Sequence, residues 1–240
     1  MAAMTIRKTV LITGGGRGIG AATVRLFAAK GWRVAFTWTT RQPAPGEGTS
    51  AYRCDIRSEA DVTALFGQVA ADFGRIDALV NNAGVTGPRC RIEDVTADLL
   101  WDVTATNLIG PILCAREAVR HMAAMGGGSI VNLSSTATKR GSPDQWVHYA
   151  ATKGAIDVLT AGLAAEVAAQ GIRVNAVAPG LTLSDPADAG RIAARLDTMR
   201  GEIPMNRAGT ADEVAEAVFW LCSDAASYVT GVVLPVAGGR

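Results

Sequence analysis

Short apolar runs alternate with longer segments of helical period from one end of the chain to the other, and this alternation constrains the fold more than any other feature. Residues 9–13, 33–38, 51–55, 78–81, 129–134, 173–178 and 232–236 read as strands, and helices are expected near 18–30, 58–73, 97–125, 147–169, 187–200 and 211–223. Strands that alternate with helices build βα units around a parallel sheet. Seven strands in one chain of 240 residues predict a single doubly wound α/β domain over 1–240, with helices on both faces of the sheet. Two connections depart from the pattern. Residues 39–50, TTRQPAPGEGTS, hold two prolines and two glycines, and predict an irregular loop where a crossover helix would normally stand. Residues 181–203 form a long insert at the carboxyl edge of the sheet, where a substrate lid is expected.

The glycine run Thr13-Gly14-Gly15-Gly16-Arg17-Gly18-Ile19-Gly20 lies between the first strand and the first helix. In that context, glycines let a pyrophosphate approach backbone N–H groups at the positive end of the helix dipole. Dinucleotide binding by Gly14, Gly16, Arg17, Gly18, Ile19 and Gly20 is the expectation. A carboxylate at the end of the second strand would hold an adenine-ribose 2′-hydroxyl, but this chain has Trp38, Thr39, Thr40 and Arg41 there. With nothing to repel a 2′-phosphate and with Arg17 and Arg41 to attract one, NADP is favoured over NAD.

Tyr149 and Lys153 stand four residues apart, fourteen residues beyond Ser135. On a helix that spacing puts phenol and ammonium on one face, and a cation beside a phenol favours its ionised form. The pair suits proton transfer to or from a carbonyl or alcohol oxygen. Pro111 adds a further sign. It has no N–H, so the helical carbonyl of Asn107 lacks its i+4 donor and is expected to be free for a relay water.

Taken in order, the glycine loop, Asn81-Asn82-Ala83-Gly84, Asn107, Ser135 and Tyr149-x-x-x-Lys153 resemble the short-chain dehydrogenase/reductase family, as do Pro179-Gly180 and the ending from Thr230-Gly231 to Ala237-Gly238-Gly239. The resemblance covers nearly the whole chain and implies a Rossmann-like fold and an NAD(P)-dependent oxidoreductase. It also implies a tetrad. Ser135 would donate a hydrogen bond to the substrate oxygen, Tyr149 would give or take the proton, and Asn107 would anchor a water. Lys153 would bind the nicotinamide ribose and lower the Tyr149 pKa. Asp55 and Ile56 would lie at the adenine, while Asn82, Ala83, Gly84, Pro179, Gly180, Thr182 and Ser184 would line the nicotinamide end. The family pattern aligns with Ser135 over its neighbour Ser134, and only one of two adjacent hydroxyls at a strand end can face the site.

Composition narrows the partners. A net charge of +1, from 23 basic and 22 acidic side chains, gives no basic stripe, so neither nucleic acid nor an anionic membrane is expected as a partner. Cys54, Cys90, Cys114 and Cys222 lack Cys-x-x-Cys spacing, and no metal site or disulfide framework is expected. A cytoplasmic enzyme acting on a small carbonyl or alcohol substrate is the reading; the rival is a non-catalytic NADP-binding regulator of the same fold. Trp146, Val85, Ala137 and Leu181 are expected near the pocket mouth. Arg89 and Arg91 are either surface arginines or contacts to an anionic substrate. The stretch 154–169 carries only Asp157 and Glu166 as charges and has no clean polar face, which predicts a subunit interface and agrees with the homotetramers common in the resembled family.

Overall fold

The computed structural model describes residues 7–185, 187, 189–199 and 201–240. Its strands are β1 Thr9–Ile12, β2 Arg33–Trp38, β3 Thr49–Arg53, β4 Ala78–Asn81, β5 Gly128–Leu133, β6 Ile172–Pro179, β7 Thr182–Leu183, β8 Gly209–Thr210 and β9 Val233–Val236. Seven of them form one parallel sheet in the order β3-β2-β1-β4-β5-β6-β9. The strand order turns back at β1, between β2 and β4, so the loops leaving β1 and β4 part and open a crevice at the carboxyl edge.

Two apolar layers hold the sheet. On one face Val10, Ile12, Phe27, Val34, Val80 and Val131 pack with α1 (Gly18–Ala29) and α8 (Ala211–Cys222). Phe27 meets Trp32 and Phe219 edge to face there, with ring centroids 5.2 and 5.0 Å apart. On the other face Leu11, Leu79 and Ile130 pack with α2 (Glu59–Phe73), α4 (Gly110–Ala124) and α6 (Val147–Val167). Among the described residues no helix is long and apolar enough to cross a membrane.

Three local details differ from the sequence reading. β3 begins at Thr49, two residues before the expected start, because Gly48 hands its carbonyl to the Val34 N–H and carries the chain into register early. The expected helix 97–125 is three pieces: α3 (Ala97–Thr104), a π turn (Ala105–Ile109) and α4. Pro111 supplies the reason. With its N–H missing the regular ladder cannot run through, and the chain takes one wide turn in which the Gly110 N–H reaches back to the Ala105 carbonyl. A short helix, α5 (Ala137–Arg140), closed by Gly141 at φ 72°, interrupts the loop after β5. The 181–203 segment is pinned at its base by pairing of β7 with β8 and carries α7 (Ala189–Thr198), while residues 39–48 form no helix.

Candidate active site

The glycine loop is rigid because its neighbours leave no slack. Gly14 has φ +66°, a conformation that favours glycine, and its N–H donates to the Thr37 hydroxyl at 2.9 Å. A Cβ on Gly20 would sit 2.2 Å from the Gly14 carbonyl oxygen, so α1 can approach the loop this closely only through glycine. Thr13 ties the loop to β4: its hydroxyl accepts from the N–H groups of Asn82 at 3.0 Å and Ala83 at 3.1 Å. The Asn82 amide answers by donating to the carbonyls of Thr13 and Gly14. Arg17, at the start of α1, gives the helix no side-chain cap. Its first-turn N–H groups are therefore open to an anion. Gly16 and Arg17 are exposed beside them, Ile19 packs into the apolar layer below, and Ser184 lies across Gly18, 3.4 Å from a built Cβ.

At the far end of β2, Trp38 buries its indole N–H without a partner, and Thr39, Thr40 and Arg41 are exposed. These residues fit a dinucleotide, with open N–H groups for the pyrophosphate and a cavity beside the glycine loop lined by Gly16, Phe36, Pro43 and Glu47. Asp55 is committed to Arg57 at 2.7 Å, which holds its carboxyl below the usual range, and Ile56 is buried under the π turn against Gly110. Pro179 accepts from the Thr136 N–H, Gly180 abuts Ala237, and the Thr182 hydroxyl donates to the Gly180 carbonyl.

Around the carboxyl ends of β4 and β5 the structure gathers Asn107, Ser135, Tyr149 and Lys153. The two serines separate cleanly. Ser134 donates to the Asp157 carboxylate on α6, whereas Ser135 accepts from the Ala137 N–H at 3.1 Å and lies near enough to the Tyr149 phenol to oppose its upward pKa shift. Lys153 is buried, its ammonium 5.9 Å from the Tyr149 ring centroid and donating to the Leu133 carbonyl at 2.6 Å. A Cβ on Gly84 would meet the Asn107 Oδ1 at 3.2 Å and the Lys153 Nζ at 3.5 Å, so loop, amide and ammonium crowd one point.

The expectation that Lys153 lowers the Tyr149 pKa is not what this arrangement gives. Burial pushes the Tyr149 phenol above its ordinary value, with Ser135 opposing it. The same burial brings Lys153 down to about 8, against a smaller pull from Asp157. Lys153 spends its hydrogen bond on Leu133, and in the protein alone desolvation outweighs the attraction between the two groups.

The sequence gives no sign of the parts that Thr152, His148 and Thr37 play in shaping this site. Asn107 clamps the loop after β4 by exchanging two 2.8 Å hydrogen bonds with the Val85 backbone, and also donates to the Thr152 hydroxyl. Thr152 in turn donates to the Tyr149 carbonyl at 2.8 Å. His148 donates from Nε2 to the Thr86 carbonyl at 3.0 Å and Trp146 from Nε1 to the Gly87 carbonyl at 3.3 Å, so two rings strap the same loop to the start of α6. Thr37 is the third kind of miss. A hydroxyl in the middle of a strand carries no local sign that it will cap a glycine loop from the next strand.

The family model described as Enoyl-(Acyl carrier protein) reductase matches residues 14–240. The chain belongs to the short-chain dehydrogenase/reductase family. It is 46% identical to the uncharacterized oxidoreductase YgfF of Escherichia coli (strain K12), covering 96% of this chain and 98% of that protein. Two solved structures superpose with a TM-score of 0.90: ElxO with NADPH bound, 31% identical over 97% of this chain and 98% of the other, and the 3-ketoacyl-(acyl-carrier-protein) reductase of Brucella melitensis complexed with NADH, 33% identical over 98% and 99%. The protein is accordingly an NAD(P)-dependent short-chain dehydrogenase/reductase acting on CH–OH groups.

Proposed function

We propose that the protein reduces a ketone or aldehyde to its alcohol, or runs the reverse, with NADPH preferred over NADH and Tyr149 as the general acid and base. The observation that carries this reading is the gathering of Ser135 and Tyr149 at a buried Lys153, whose ammonium is 5.9 Å from the Tyr149 ring centroid. When bound, the nicotinamide supplies the hydride. Ser135 accepts from Ala137 and keeps its own proton to offer a substrate oxygen. Tyr149, protonated at neutral pH, delivers the proton as the oxygen gains charge, and Lys153 is close enough to stabilise the phenolate that follows. A nearby anion of that kind favours the charged ammonium, so each group's shift is largest in the empty protein and shrinks during turnover. Asn107 holds Val85 and Thr152 with its side chain, while its carbonyl, denied an i+4 donor by Pro111, offers a relay water its acceptor.

The whole chain works as one domain in this reading, and 181–203 acts as its lid: Ser184 already lies on Gly18, where cofactor and segment would meet. Thr39 and the arginines Arg17 and Arg41 favour NADPH. The protein acts in the cytoplasm as a homotetramer, joined through outward apolar surface on α6 and on α3 and α4, where Val158 is 74% and Trp101 73% exposed. Steady-state turnover of a ketone panel with each cofactor tests the proposal. It predicts a higher kcat/KM with NADPH, and turnover with NADH at a higher kcat/KM overturns the preference. Sedimentation at micromolar concentration tests the assembly; a monomer overturns it.

A further inference from the structure

Arg195 lies on α7, inside the 181–203 segment, with its guanidinium 4.9 Å from the centre of the Trp146 ring. Half-buried there, it has no carboxylate partner among the described residues. Desolvation first, and then the nearby Arg240, Arg89 and Arg191, depress its pKa. Glu202 is shared between Arg140 at 2.8 Å and Arg240 at 3.0 Å. The Arg240 Nε is also buried without a partner. Concentrating positive charge in a half-buried place is unfavourable unless an anion arrives to pair with it.

The position of this cluster ties it to the chemistry. Trp146 begins the turn of α6 that carries Tyr149, since the Ala150 N–H bonds the Trp146 carbonyl at 2.9 Å. Residues three apart on a helix share a face. Trp146 also holds Gly87 in the loop that runs on to Arg89. Arg195 thus stands on the residue three before Tyr149 in the chain, with Arg89 in the loop that the same residue holds. A guanidinium held flat on an indole keeps its N–H edge available, and that planar fork matches a carboxylate. Arg91 takes no part, being paired with Glu93 and Asp144 at 2.6 Å each.

We infer that the substrate is a carbonyl compound bearing a carboxylate, whose acid group is held by Arg195 on the Trp146 ring while its ketone meets Tyr149 and Ser135. One turn of helix and one stacked ring separate the two ends, so acid and ketone lie on the order of 10 Å apart. Small neutral ketones would fill only the catalytic end. The inference rests on the carbonyl-reducing reading above and narrows it to a substrate class.

The test compares keto acids with their own methyl esters, varying the length between ketone and acid, in wild type and in Arg195→Ala with NADPH. The acids are expected to exceed their esters in kcat/KM by at least about tenfold, the worth of one charge-assisted hydrogen bond. Arg195→Ala should remove that advantage through KM and leave the ester parameters within about threefold. Esters turned over as well as acids by the wild type, or equal losses on both in the variant, would overturn the inference while carbonyl reduction stood. If neither is reduced, the reductase reading itself fails, and calorimetric titration of the keto acids into the NADP complex decides the anion site. Binding lost in Arg195→Ala supports it, and binding absent or unchanged overturns it. Tm and NADPH affinity of the variant, expected at wild-type values, exclude misfolding as the cause.

Discussion

The two ends of the crevice are built on opposite plans. At the glycine loop, hydrogen bonds run within the protein: Thr13, Thr37 and Asn82 satisfy one another and the loop backbone, and Gly20 is packed so closely that no methyl fits. Beside the 181–203 segment the hydrogen bonding is less complete. Among the described residues Arg195 has no carboxylate partner, the Arg240 Nε is buried without one, and Glu202 serves two arginines. The first end is preorganised for a ligand whose shape does not vary. The second is held in deficit, and a deficit is what lets one ligand be told from another, because only a matching anion removes it.

Substitutions can break that contrast, and the largest effect belongs to the junction of the two ends. Tyr149→Phe should lower kcat by roughly 10² to 10⁴ with NADPH affinity unchanged, measured by turnover and by fluorescence titration. An unchanged kcat would remove Tyr149 from the chemistry. Gly20→Ala should act on the cofactor end alone, destabilising the fold by about 1–3 kcal/mol and weakening NADPH binding, with denaturant melts as the check. If it leaves Tm and NADPH affinity intact, the close packing there is not a constraint. Arg41→Ala should cost about tenfold in kcat/KM for NADPH and little for NADH. Equal losses with both cofactors would place the 2′-phosphate elsewhere.

The smallest effect is a pH dependence. Lys153 is brought down to about 8 in the folded protein from an ordinary 10.5, so between those values the unfolded chain binds more protons than the folded one. Stability from this group therefore rises with pH across that window, and the penalty of burying the charge is felt in full below it. Lys153→Met should raise Tm relative to wild type more at pH 7 than at pH 10. A difference that does not shrink with rising pH would mean that Lys153 titrates normally.

Much of this was legible beforehand, and what was not follows one rule. Strands, crossovers and the glycine loop are written locally, in apolar runs and in residues that only certain backbones accept, so residues 33–38 and 78–81 stand where they were expected. Pro111 showed that the Asn107 carbonyl loses its i+4 donor, though not that the expected helix 97–125 would divide at a π turn. The choice between Ser134 and Ser135 needed Asp157, which lies 23 residues on and takes the first hydroxyl for itself. Arg195 carried no signal at all. Its meaning comes from Trp146, 49 positions away in the chain, on whose ring it rests. The pKa relation of Tyr149 and Lys153 was misjudged for a similar reason: spacing shows that two groups are near, but burial decides which way they shift.

The pairing of Thr182–Leu183 with Gly209–Thr210 has a consequence for how such a protein changes over generations. By joining both ends of the intervening stretch at its base, it makes that stretch a closed loop whose length the rest of the sheet does not feel. Lengthening a closed loop is thermodynamically mild, about 0.6 kcal/mol for each doubling. Insertions, deletions and charge changes there can retarget the enzyme while the hydride and proton machinery stays as it is. Diversity of substrates can thus be drawn from one short stretch of gene.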